Sequence, residues 1–235
     1  MMPEYTVDWG FCDAIAKSGL LLFPSLLRRQ AAIYLAELHR AISMTNKAAY
    51  YLELAEQIKI GILRYLSDKS GWLLSATEVC RQKDVWGTAY AVWTGALEGD
   101  YLQQSLTALA NGYRKGKTVN NFGYVRHISE DEDAVPGKTS WENGDRNCSY
   151  NVYQNGGYWA APFGWYLYAL SCFDLHLADQ MLKQYMEHCQ SRDQDGAPFE
   201  WISRDGSIID GRLYGASAAL PFEAVRRIAS GKCDL

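Results

Sequence analysis

The chain has 235 residues, 48% of them apolar and 21% charged, with a formal net charge of −4. That is the profile of a globular protein long enough to bury one sizeable core, and its scattered basic residues give no electrostatic footprint for nucleic acid. Eight tryptophans and sixteen tyrosines are the unusual feature, since they gather where loops run into helices, and aromatic faces at loop ends suit the C–H faces of sugar rings.

Residues 1 to 22 lack a clear periodicity and read as a loop carrying Asp8-Trp9-Gly10. From Pro24 an apolar stripe at helical spacing (Leu27, Ala31, Tyr34, Leu35, Leu38) predicts a helix, with the proline near the first turn, where a missing N–H costs least. A second helix is expected from about Thr45 to Leu66 with Thr45-Asn46 as its cap, followed by a break at Ser67 to Gly71 and a short extended Trp72-Leu73-Leu74. Asp84 stands where an N-cap belongs, ahead of a helix to about Leu97. Gly99-Asp100 then turns the chain into an outer helix that ends on Gly116.

Lys117 to Gln154 is the longest polar stretch, and loops of this length in compact domains are functional or mobile. Its acidic run, Glu130 to Asp133, reads as a solvated tip because like charges repel. A strongly aromatic helix is expected over Tyr158–Phe173, with Pro162 early enough to be tolerated, and an amphipathic one over Leu175–Gln190. Ser191 to Gly211 forms a loop with a small hairpin around Asp205-Gly206, and a last helix runs from about Leu213 to Ile228.

Three helix starts share one design, in which polar residues lead into an aromatic residue beside Gly or Ala: Asp84 to Trp93, Tyr153 to Trp165 and Arg212 to Phe222. Small residues there allow close helix approach while the polar loop faces a cavity. The pattern predicts that Trp86, Trp159 and Tyr214 approach one pocket with Asp84, Gln154 and Glu200 at its rim. Gln154 and Asn155 serve equally as helix caps or as hydroxyl-binding groups, and Arg126-His127 as sugar donors or as a solvated basic pair.

The six cysteines lack CxxC and metal spacing and read as reduced thiols of a cytoplasmic protein. The four histidines are dispersed, so neither metal nor cofactor is expected. The apolar run Leu20 to Phe23 is far too short for a membrane span, and no signal peptide is visible. The sequon at Asn147 carries no weight in such a chain.

The order of outer helix, long loop and inner aromatic helix predicts an all-α ring of helical hairpins with its long loops at one end. Four places resemble the six-hairpin glycosidases, the (α/α)6-toroid superfamily: Asp8-Trp9, Asp84 to Tyr90, Gln154 to Trp159, and Phe199-Glu200-Trp201 with Asp205-Gly206 and Tyr214 to Ser217. The resemblance implies a single toroid domain over residues 1–235 that holds about the last three and a half of six hairpins, as a C-terminal part of a larger catalytic domain. It implies a glycoside hydrolase acting on an oligosaccharide or glycoside by acid–base carboxylate chemistry.

Glu200 matches the position of the general base, and Asp8 is nearest to that of the acid. An inverting pair needs carboxyls ~6.5–9.5 Å apart. Phe199 and Trp201 would desolvate Glu200, whose other reading is a loop carboxylate paired with Arg204 or Arg212. Substrate contacts are expected from Asp84, Trp86, Arg126 and His127, and from Gln154, Asn155, Trp159, Trp201 and Tyr214. Two other functions fit the same ring. One is a sugar epimerase of the N-acylglucosamine 2-epimerase type, for which only His127 lies on a loop; the other is a non-catalytic carbohydrate-binding half-toroid. An incomplete ring also exposes apolar flanks, which implies self-association or a missing N-terminal half.

Overall fold

Helical periodicity resolves into seven α-helices in a computed structural model that describes residues 15, 17–132, 151–191 and 196–231. They are α1 (Leu22–Ala41), α2 (Thr45–Leu66), α3 (Val85–Trp93), α4 (Gly99–Arg114), α5 (Phe163–Phe173), α6 (Leu175–Ser191) and α7 (Gly215–Ala229). Helices α1, α3, α5 and α7 stand side by side in that order, and α2, α4 and α6 return along their outer side as antiparallel partners. This is an arc of helical hairpins. None of the described helices is long and apolar enough to cross a membrane.

Helix α5 is the centre of the core because it is apolar all round: Phe163 through Leu170 are all buried, and it packs against α3, α4, α6 and α7. Helices α4 and α6 are amphipathic and bury one stripe each, as outer helices must. Two glycines set the closest approaches. A Cβ on Gly87 would come within 2.4 Å of Leu22 Cδ2, and one on Gly164 within 2.4 Å of the Leu220 carbonyl oxygen. Small residues at these helix starts therefore bring α1 onto α3 and α7 onto α5.

The all-α expectation is corrected by a small antiparallel sheet at the end where α3, α5 and α7 begin. Its strands are β1 (Val125–Arg126), β2 (Tyr158–Trp159), β3 (Trp201–Ile202) and β4 (Ile209–Asp210), hydrogen-bonded in chain order. Tyr158 and Trp159, expected to open a helix, instead pair with Arg126 and Val125 on one side and with Ile202 and Trp201 on the other. The helix begins only after Pro162, whose φ of −74° suits the N-cap position. Tertiary pairing overrides local helical pattern here.

The β3–β4 hairpin turns at Asp205-Gly206, where Asp205 accepts from Ser203 Oγ and from the Ser207 N–H and hydroxyl. Those bonds hold its carboxyl down to about 2. Helix α2 spans the expected residues, but its N-cap is Met44, without a side-chain bond, rather than Thr45-Asn46.

Gly164→Ala should destabilise the protein by about 1–3 kcal/mol in urea unfolding, because the methyl meets backbone of α7 rather than a movable side chain. Gly215→Ala, with nothing within 4 Å, should match wild type or stabilise by up to about 1 kcal/mol.

Candidate functional site

The sheet and the first turns of α3 and α5 build one polar and aromatic face, with Asp84 at its base. Asp84 is fully buried and caps α3: Oδ1 accepts from the Gly87 N–H at 2.7 Å, as the sequence position predicts, and Oδ2 accepts from Ser75 Oγ at 2.9 Å. His127 Nε2 lies 3.4 Å and Lys17 Nζ 4.0 Å from Oδ2, and the two nitrogens are 3.1 Å apart. Nε2 therefore stands between a cation and an anion and serves only one of them at a time.

Burial alone would raise the Asp84 carboxyl. The adjacent His127 ring, once protonated, together with the Lys17 ammonium and the Gly87 N–H, outweighs burial and holds the group well below the usual carboxylate range. Burial and then the Lys17 charge lower the His127 imidazole, and Asp84 offsets only part of this. At neutral pH the ring is neutral and accepts from Lys17, while Asp84 and Lys17 balance each other's charge.

An aromatic ladder leads away from this triad. The Trp86 ring stacks on His127 at 4.4 Å and 18°, and its Nε1–H donates to the Val125 carbonyl. Trp86 meets Trp159 edge-on at 5.6 Å, Trp159 lies 4.7 Å from Tyr153, and Tyr153 meets Trp201 edge-on at 5.5 Å. Val125, Trp159 and Trp201 are direct cross-strand partners and so share one face of the sheet. The opposite face carries Arg126, Tyr158 and Ile202.

Arg126 is fully buried there. Its Nε donates to the Gly156 carbonyl at 2.9 Å, its Nη2 to Asn151 Oδ1 at 3.3 Å, and its guanidinium lies 6.0 Å from the Tyr158 ring. The Asn155-Gly156-Gly157 turn is shaped by this arginine. Gly156 takes a φ of +107° and a Cβ on it would meet Arg126 Nη2 at 2.5 Å, while one on Gly157 would meet the Tyr153 carbonyl oxygen at 2.4 Å. Gln154 and Asn155 are buried in the same turn, where the Asn155 carbonyl accepts from the Asn151 N–H.

Glu200 precedes β3 and continues its ladder. Its carbonyl accepts from the Ala160 N–H, and its N–H donates to the carbonyls of Asp210 and Gly211. Its cross-strand neighbours are thus Ala160 and Gly211. A Cβ on Gly211 would fall 2.1 Å from Glu200 Cβ and 2.7 Å from Oε2, so small residues on both sides make room for the carboxylate, which is half-buried. Phe199 and Trp201 flank it in sequence, and Trp201 is buried.

Of the expected site residues, Asp84, Trp86, His127, Trp159 and Trp201 come together through these contacts, with Arg126, Gln154 and Asn155 on the adjoining turn. Tyr214 stands exposed as the N-cap of α7, outside the aromatic ladder. Asp8 lies outside the described residues. Arg204 pairs with Glu130 at 3.4 Å.

Sequence reasoning missed Lys17 and Ser75, which carry no local signal, and it misread Glu130. That carboxylate is not a solvated tip: Tyr158 donates its hydroxyl to it at 2.9 Å, and Arg204 and Lys117 approach it. Burial, then the Glu130 charge, pushes the Tyr158 hydroxyl well above its ordinary range.

The arc of hairpins has a counterpart among solved structures. Glucoamylase from Saccharomycopsis fibuligera superposes with a TM-score of 0.54 at 12% identity, covering 92% of this chain and 56% of its own. At that identity the likeness is one of fold, and the chain spans little more than half the length of that enzyme. No family model and no curated protein matches the sequence.

The His127 shift fixes a pH dependence. The unfolded chain binds a proton near pH 6.5 and the folded one only at lower pH, so this stability is present above pH 6.5 and lost as pH falls through the window below it. Wild type should lose stability between pH 7 and 5 more steeply than His127→Gln, by at most about 1.4 kcal/mol per pH unit, in urea titrations at both ends. Equal slopes would mean that the imidazole titrates as in the unfolded chain.

Proposed function

We propose that the face where the sheet meets the starts of α3 and α5 binds carbohydrate, and that the protein is a glycoside hydrolase, or part of one, with Glu200 as its general base. The supporting observation is the setting of Glu200, a half-buried carboxylate given room by Ala160 and Gly211 beside a ladder of aromatic rings. The fold likeness to a glucoamylase agrees with this reading.

Several carboxylates on this face take part in holding it together. Asp84 is buried and ionised under three partners, Glu130 is tied to Tyr158, Arg204 and Lys117, Glu132 pairs with Lys83 at 3.0 Å, and Asp205 is locked in its turn. Glu200, half-buried on the edge of β3, is the proposed base that activates a water at a sugar carbon. Asp8 is the proposed acid partner. Trp86, Trp159 and Trp201 are buried and form the rigid backing of this face, Tyr153 stands half-buried over them, and Arg126, Gln154 and Asn155 rigidify the adjoining turn.

A second reading is carbohydrate binding without turnover. An epimerase gains less support, since His127 is buried beneath Trp86 and neutral, and His39, His176 and His188 lie on α1 and α6. Titration of maltooligosaccharides against tryptophan fluorescence, paired with hydrolysis of aryl glycosides, separates these readings. Glu200→Gln should lose about 10²–10⁴-fold in turnover while keeping the binding-induced fluorescence change. Turnover near the wild-type rate would remove Glu200 from the chemistry, and binding without turnover in wild type would select the second reading.

A further inference from the structure

The face that α1 turns to its neighbours is not its most apolar one. Against α2 and α3 it buries Leu22, Phe23, Leu26, Arg29, Ala32 and Ala36. Arg29 is held there by donating to the Thr94 and Gly95 carbonyls at 3.1 and 3.0 Å, the C-terminal end of α3. The stripe Leu27, Ala31, Tyr34, Leu35, Leu38 and Ile42 faces outward along the whole helix, with Tyr34 57%, Leu38 64% and Ile42 65% exposed.

We propose that this stripe is a homodimer interface, at which α1 packs antiparallel on α1 of a second copy. The spacing of the stripe supports a like partner. Read from either end it gives steps of 4, 3, 1, 3 and 4 residues, so an antiparallel copy places Leu27 against Ile42, Ala31 against Leu38 and Tyr34 against Leu35 at the same time. A two-fold contact requires such self-complementarity. Each Leu38 then has a small residue opposite it, as a knob needs a hole, and the 4-3-4 rhythm of residues 27, 31, 34 and 38 is that of a packed helical seam.

The exposed stripe amounts to roughly 500–600 Å² per copy, or about 1,000–1,200 Å² when two copies pair, which reaches the lower limit of specific interfaces. The proposal is independent of the carbohydrate reading, because the stripe runs along the flank of the arc and uses none of the residues of the sheet face.

Analytical ultracentrifugation of the whole chain tests it. Wild type should sediment at twice the chain mass in the micromolar range, and Leu38→Asp should weaken the dimer at least ~100-fold with an unchanged far-ultraviolet circular dichroism spectrum. Ala31→Lys combined with Leu38→Glu should restore much of the dimer, because position 31 faces position 38 of the other copy only in the antiparallel register. Phe222→Asp, on the exposed side of α7 at the other end of the arc, should leave the dimer intact. A monomeric wild type would overturn the proposal. So would a dimer that survives Leu38→Asp, a double variant without rescue, or loss of the dimer in Phe222→Asp.

Discussion

The structure hangs on one buried carboxylate. An ionised Asp84 in the core would cost several kcal/mol if left alone, and it is tolerated because each of its oxygens meets donors and a lysine balances its charge. Those partners come from separate stretches of chain: Lys17 before α1, Ser75 between α2 and α3, and Gly87 in α3, while His127 after β1 stands against Lys17. The backbone repeats the junction, for the Asp84 N–H donates to Leu73 and the Val85 N–H to His127. One side chain thus ties the starts of two inner helices to the sheet.

From that staple outward, packing rather than hydrogen bonding carries the sheet. Strands of two residues are marginal by themselves, and what fixes them is what stands on each face. Trp86, Trp159, Tyr153 and Trp201 interlock on one face, and Arg126 fills the other beneath the glycine turn. The turn and the arginine specify each other, since the only backbone that lets the guanidinium through lacks a Cβ at residue 156. The result is a rigid aromatic layer beside a carboxylate given room by small neighbours.

The helical arc is unevenly covered. Helix α5 is enclosed by four neighbours, whereas α1 and α7 end the row and keep apolar side chains in solvent, among them Leu38 and Phe222. A hydrophobic stripe in water is unfavourable in proportion to its area, so the ends of the row are where contacts with other surfaces are expected to form. The superposition on a longer glucoamylase chain shows the same arrangement of helices within a larger body.

The sequence by itself determined what depends on near neighbours. The helical periods of α2 and α4, the Asp84 cap three residues from its donor, the Asp205-Gly206 turn and the small residues at helix starts all act within a few positions, so they were legible. Only the tertiary structure decided the rest. Tyr158 and Trp159 are extended because strands from residues 125–126 and 201–202 flank them, and Glu130 is packed because Tyr158 and Arg204 reach it. Lys17 meets His127 across 110 positions of chain. Helix α1 shows this most plainly, for its stripe predicted a helix correctly but not which face would be buried. Arg29 docks on the Thr94 and Gly95 carbonyls just past α3, on the packed side, while the stripe from Leu27 to Leu38 is exposed. Periodicity records that a helix has faces, and only the partners brought near by the fold choose among them.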